Sequence, residues 1–170
     1  MRYFKMDLLA FSAYSDELLA SPAVQQMDDF IQHGNTTCLE HCIAVAFVSF
    51  LLCRWLHISR NYRSLIRGAL LHDLFLYDWH DRSGGHKYHG FTHPGVALIN
   101  ARQHFTLDPI EADIIKKHMW PLTPALPRHR EAFVVSMADK FCSVAEVFSG
   151  LLRRGIYQKM RTQLEGFQCI

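Results

Sequence analysis

The sequence predicts an all-α, single-domain helical bundle. Apolar residues recur at helical spacing in one segment after another, helix starts are spelled out by capping residues, and strand signals are nearly absent. Asp7 to Ala20 is amphipathic. Pro22 opens a second short helix, expected to end near His33-Gly34. Thr37-Cys38-Leu39-Glu40 is a capping box that starts a helix to about His57, so His41 falls in its first turn. Asn61 is placed to cap a helix that continues through Asp73. Asp78 to Gly90 is polar and reads as a loop bent at Gly84-Gly85. Thr92 then caps a helix from His93-Pro94 to about His104, and Asp108-Pro109 opens one that ends at His118. Trp120 to Pro127 holds three prolines and must be a stiff loop. Arg128 to Ser149 is the last long helix, and Leu151 to Ile170 reads as a weaker one.

The chain of 170 residues suits one domain with a sizeable core. A hydrophobic share of 49% against 20% charged excludes a disordered chain, and a net charge of +2 gives no reason to expect a nucleic-acid polymer as partner. Cys38, Cys42 and Cys53 lie in an apolar helical pattern, with Cys142 and Cys169 further on. The odd count and the apolar setting point to reduced, buried thiols in a cytoplasmic protein, and the lack of a CxxC argues against a zinc ribbon. No signal peptide is read at the N-terminus. Cys42 to Leu56 is the most apolar run, but 15 residues broken by Arg54 suit a core helix better than a membrane span.

Histidine departs from the ordinary, with 11 in the chain. His41, His72-Asp73, His93, His118 and Asp139 sit on five different helices, mostly among apolar residues. Taken singly, each has a structural explanation: a core histidine bonded to a carbonyl, a helix-end charge pair, a carboxylate with a nearby cation. Together they form an imidazole and carboxylate set suited to iron, manganese, zinc or cobalt.

The ordered pattern His41 (CLEHCIAV), His72-Asp73 (GALLHDLFLYD), His93 (FTHPGVALI), His118 (IIKKHMWPL) and Asp139 (MADKFCS) resembles the HD-domain superfamily of metal-dependent phosphohydrolases, over residues 32–150. The resemblance implies the binuclear branch, because His93 and His118 are present. It implies that His41, His72 and Asp139 hold one ion, that His93 and His118 hold the other, and that Asp73 bridges and is the catalytic residue. It further implies two divalent transition-metal ions, iron or manganese foremost and zinc, cobalt or nickel also suited. The expected reaction is attack of a metal-bridging hydroxide on a small phosphate ester, a nucleotide or related metabolite. No membrane partner is expected, and a homodimer is left open.

One position departs from the family. Many members carry a lysine shortly after the doublet, where this chain reads Leu74-Phe75-Leu76-Tyr77. A phosphate-binding cation would come from Arg82, Lys87, Lys116, Lys117 or Lys140. His86, Lys87, His89 and Lys140 are the candidate substrate contacts. His80 also lies in the loop, His33 reads as helix-terminal, and His57, His104 and His129 as structural or exposed. Trp79, Trp120, Tyr77 and Tyr88 flank the ligand segments, where they either stack on a substrate or pack around the site. The missing lysine favours an alternative: some HD-fold proteins hold mixed-valent diiron and cleave C–C or C–P bonds with dioxygen. A third reading is a non-catalytic binding module that keeps its metals for stability.

Overall fold

The computed structural model describes residues 2–80 and 88–148. These form seven α-helices, one 3₁₀ turn and a two-stranded hairpin: α1 (Arg2–Leu19), α2 (Pro22–Gln25), the 3₁₀ turn (Gln26–Asp29), β1 (Ile31–His33), β2 (Thr36–Thr37), α3 (Cys38–Trp55), α4 (Tyr62–Leu71), α5 (His89–His104), α6 (Pro109–Lys117) and α7 (Arg130–Phe148). The fold is mostly helical, as the sequence patterning predicts. Arg82, His86, Lys87, the Gly84-Gly85 bend, Cys169 and the helix expected after Leu151 lie outside the described residues.

α3 is the central element. Its start is the predicted capping box: Thr37 Oγ1 accepts from the Glu40 amide at 3.2 Å, and Glu40 Oε2 accepts from the Thr37 amide at 3.1 Å. The helix is apolar on nearly every face, which is the mark of burial on all sides. It packs against α4 and α7. By length and composition it could cross a membrane, and 61% of it is buried within the fold. Phe47 and Phe50 carry the core toward α1, where Phe11 meets the Phe47 ring edge-on at 5.3 Å. Cys38, Cys42, Cys53 and Cys142 are unpaired and buried.

α4 and α6 cross closely at Gly68. A Cβ there would lie 2.7 Å from Ile114 Cδ1 and 3.2 Å from the Glu111 Cα, so any larger residue forces Ile114 and the α6 backbone to shift. The same crossing buries an ion pair, Arg67 Nε to Glu111 Oε1 at 2.6 Å. Glu111 also completes a capping box with Asp108 at the predicted start of α6.

Two boundaries differ from expectation. The chain from Pro22 is helical only to Gln25, tightens into the 3₁₀ turn, and becomes extended at Phe30. Ile31 to Thr37 then forms a hairpin that turns at Gly34, whose φ of +58° an L side chain rarely adopts. This hairpin decides where Gln32 and His33 point. α5 starts at His89, one turn before the predicted cap. Pro94 is therefore inside the helix rather than at its first position. Thr92 does not cap, because its hydroxyl donates back to the Tyr88 carbonyl at 3.1 Å. Asn61 stands at the head of α4, but its side-chain amide donates to Glu131 Oε1 at 3.1 Å instead of capping.

Candidate metal centre

The fold brings all six sequence-predicted ligands together. His41 enters from the first turn of α3, and His72-Asp73 from the end of α4. His93 lies in the second turn of α5, His118 caps the C-terminus of α6, and Asp139 is mid-α7. All six are buried, none more than 7% exposed. Two groups of three could each hold a metal ion: His41–His72–Asp73 and Asp73–His93–His118. Asp73 belongs to both.

Three of the imidazoles share one local device. His72 donates its Nδ1–H to the Ala69 carbonyl at 2.7 Å, His93 to the His89 carbonyl at 2.8 Å, and His118 to the Ile115 carbonyl at 2.9 Å. Each acceptor lies three or four residues back on the same helix. The ring is thereby locked, the Nδ1 tautomer is set, and Nε2 is aimed at the centre, which is how metal-binding histidines are held.

The Nε2 atoms converge on the carboxylates. His93 and His118 Nε2 lie 3.1 and 3.4 Å from Asp73 Oδ1, and His72 Nε2 lies 3.4 Å from Asp73 Oδ2. Asp139 Oδ1 lies 3.1 Å from His41 Nε2 and 3.8 Å from His72 Nε2. An ion that takes N and O donors at about 2.1 Å brings neighbouring donors to roughly 3 to 3.5 Å of one another. His72 Nε2 and Asp73 Oδ1 are buried with no hydrogen bond of proper direction. Buried polar atoms are rarely left so without a purpose. Spacing, donor chemistry and these two orphaned atoms all fit metal ions.

The charges of the metal-free site follow from the same geometry. Burial opposes charge on His41, but the Asp139 and Glu146 carboxylates override it and hold the group well above its ordinary range. Burial likewise opposes charge on His72, and the carboxylate of Asp73 lifts it to about 9. His93 is raised despite burial, by Asp73. His118 is pushed down to about 3, by burial and then by the positive charge of His72. His93 and His118 Nε2 stand 2.7 Å apart, a spacing at which the two rings share a proton or face a common ion. Burial opposes charge on Asp73 and Asp139 too, yet the imidazoles around them hold both well below the usual carboxylate range.

Two residues that sequence reading missed support the ligands. Gln32, on the hairpin, donates from Nε2 to Asp73 Oδ2 at 2.6 Å. Glu146, on α7, faces His41 Nδ1 with both carboxylate oxygens, at 3.0 and 3.1 Å. Glu146 had a sequence signal, since it follows Asp139 by seven residues and so shares its helix face. Gln32 has none, because the pattern predicts a helix end there.

A cavity of about 740 Å³ opens onto the centre. The segment after the doublet supplies Trp79, and the proline-rich loop supplies Leu122. His33 also lines it, from a strand rather than a helix end. His89 stacks between Trp79 (5.0 Å between ring centres) and His93 (4.5 Å), and its Nδ1 is 2.9 Å from the Tyr77 hydroxyl. Lys140 lines the cavity with its ammonium 3.7 Å from Asp139 Oδ2. Its N–H groups reach the His118 carbonyl and both oxygens of Ser136. Lys117 instead pairs with Asp113 at 2.7 Å. Directly after the doublet, Leu74 and Phe75 are buried, and Asn100 fixes their carbonyls at 2.9 and 3.2 Å. The Phe75 ring lies 5.9 Å from that of His93.

In comparisons with known proteins, the chain matches no family model, no curated protein and no solved structure. The buried histidine and aspartate groups can hold metal ions, and their arrangement is compatible with an HD-type site.

Proposed function

We propose that this protein is an HD-type, metal-dependent phosphohydrolase with two divalent ions, acting on a small phosphate ester such as a nucleotide. The observation that carries the reading is Asp73, one carboxylate shared by two buried donor groups. His41, His72 and Asp139 would hold one ion, His93 and His118 the other. Bound there, divalent ions activate water and offset charge on phosphate oxygens.

The chain's own residues do the positioning. Backbone carbonyls on α4, α5 and α6 keep three Nε2 atoms inward. Gln32 holds one oxygen of Asp73 and leaves the other to face His93 and His118. Lys140 ties the end of α6 to α7 and sets a positive charge at the cavity wall. Trp79, Met119 and Leu122 offer an apolar surface to the leaving group.

The test is phosphate release from a panel of nucleotides and phosphate esters, with protein loaded with manganese or iron. Release that chelation abolishes is expected; none across the panel, with both ions bound, overturns the reading. A dioxygen-dependent oxygenase is the second reading. The observation that favours it is the buried apolar segment Leu74–Phe75 where a phosphate-binding lysine would stand. Dioxygen uptake with a diol or an aminophosphonate, by iron-loaded protein alone, would select it.

A further inference from the structure

The four histidines of the centre are not held alike. His72, His93 and His118 each donate Nδ1–H to a backbone carbonyl, which is neutral. His41 is the exception, because its Nδ1 faces the Glu146 carboxylate at 3.0 and 3.1 Å. The Glu146 side chain is 7% exposed, so little water screens it. Asp139 and Glu146 lie on the same face of α7, and between them they take both nitrogens of one ring, Asp139 at Nε2 and Glu146 at Nδ1. A carboxylate on the far nitrogen orients an imidazole and raises its basicity toward a metal more than a carbonyl does.

We propose that Glu146 is a positioning residue for the ion held by His41: it fixes the ring so that Nε2 is the ligand atom, and it strengthens that bond selectively. The claim rests on the metal reading of the site but not on the reaction. It predicts that loss of the charge weakens the ion at His41 and leaves the ion at His93 and His118 alone.

The experiment is cobalt titration of metal-free protein, followed by the visible absorption of the bound ion and by metal content after dialysis. Wild type, Glu146→Gln and Glu146→Leu are compared, each also in a His118→Ala background that leaves the His41 half intact. Glu146→Gln keeps the shape and a hydrogen-bonding oxygen but lacks the charge. The expected result is a loss of about 10- to 100-fold in affinity for the ion at His41. That loss should persist in the His118→Ala background, with a shifted cobalt spectrum and a larger loss for Glu146→Leu. The second ion should bind as in wild type. Wild-type affinity and spectrum in Glu146→Gln overturn the proposal while leaving the metal site standing, as does an equal loss at both ions. A wild-type protein that binds no ion overturns the metal reading and this one with it. If Glu146→Leu fails to fold, Glu146→Gln alone decides.

Discussion

Asp73→Asn is the most informative single change. The substitution keeps the shape and removes the charge that His72, His93 and His118 face at 3.1 to 3.4 Å. In the metal-free protein the effect is a linkage between protonation and folding. His72 rises from an ordinary 6.5 to about 9 in the fold, against its own burial and with Asp73 as the first raising influence. A group raised on folding adds stability below its unfolded value, and that stability is lost as pH climbs through the folded value. The rise corresponds to about 3 kcal/mol for a fully buried group, counted once for the pair. Asp73→Asn should forfeit most of it below pH 6.5 and nothing from this source above pH 9. For a protein of this size that is a drop of roughly 6 to 12 °C in the unfolding midpoint. The assay is thermal unfolding of chelator-treated wild type and variant between pH 5.5 and 10. A wide gap at low pH that closes toward pH 10 is expected. A gap of constant size, or none at pH 6, would refute the electrostatic account, since lost packing or a lost Gln32 hydrogen bond does not titrate there.

Three further outcomes follow from the same geometry. Metal binding must displace the protons held on His41, His72 and His93, so calorimetry in buffers of different ionisation enthalpy should register proton release, and affinity should fall as pH drops through 9 and below. Gln32→Ala removes the 2.6 Å donor to Asp73 Oδ2. It should weaken metal binding about 10-fold or more by equilibrium dialysis, and unchanged affinity would mean that Asp73 needs no such support. Gly68→Ala sets a methyl 2.7 Å from Ile114 and against the α6 backbone. It should cost about 1 to 3 kcal/mol in denaturant unfolding, and a neutral result would mean that α4 and α6 can part without loss.

Much of this molecule was legible in the chain because its signals are local. The capping boxes at Thr37–Glu40 and Asp108–Glu111 read directly as helix starts, since donor and acceptor are three residues apart. The six candidate ligands stand out as imidazole and carboxylate side chains among apolar neighbours, where an isolated charge is costly. Local rules also misled. Thr92 and Pro94 spell a helix start, yet the helix begins at His89, and the helix expected from Pro22 to near His33-Gly34 gives way at Gln25 to a 3₁₀ turn and then a hairpin.

A helical chain, its helix starts and the chemistry of its buried polar side chains thus follow from the order of residues alone. Which side chains meet is a matter of packing between distant segments. His41 meets Asp139 across 98 residues and Glu146 across 105, and Gln32 reaches Asp73 across 41. Helical periodicity extends over a turn or two and says which face a residue shares, not which helix that face will find. Packing settles that choice, as the α4–α6 contact at Gly68 and the burial of α3 against α4 and α7 bring the candidate ligands of five helices to one point.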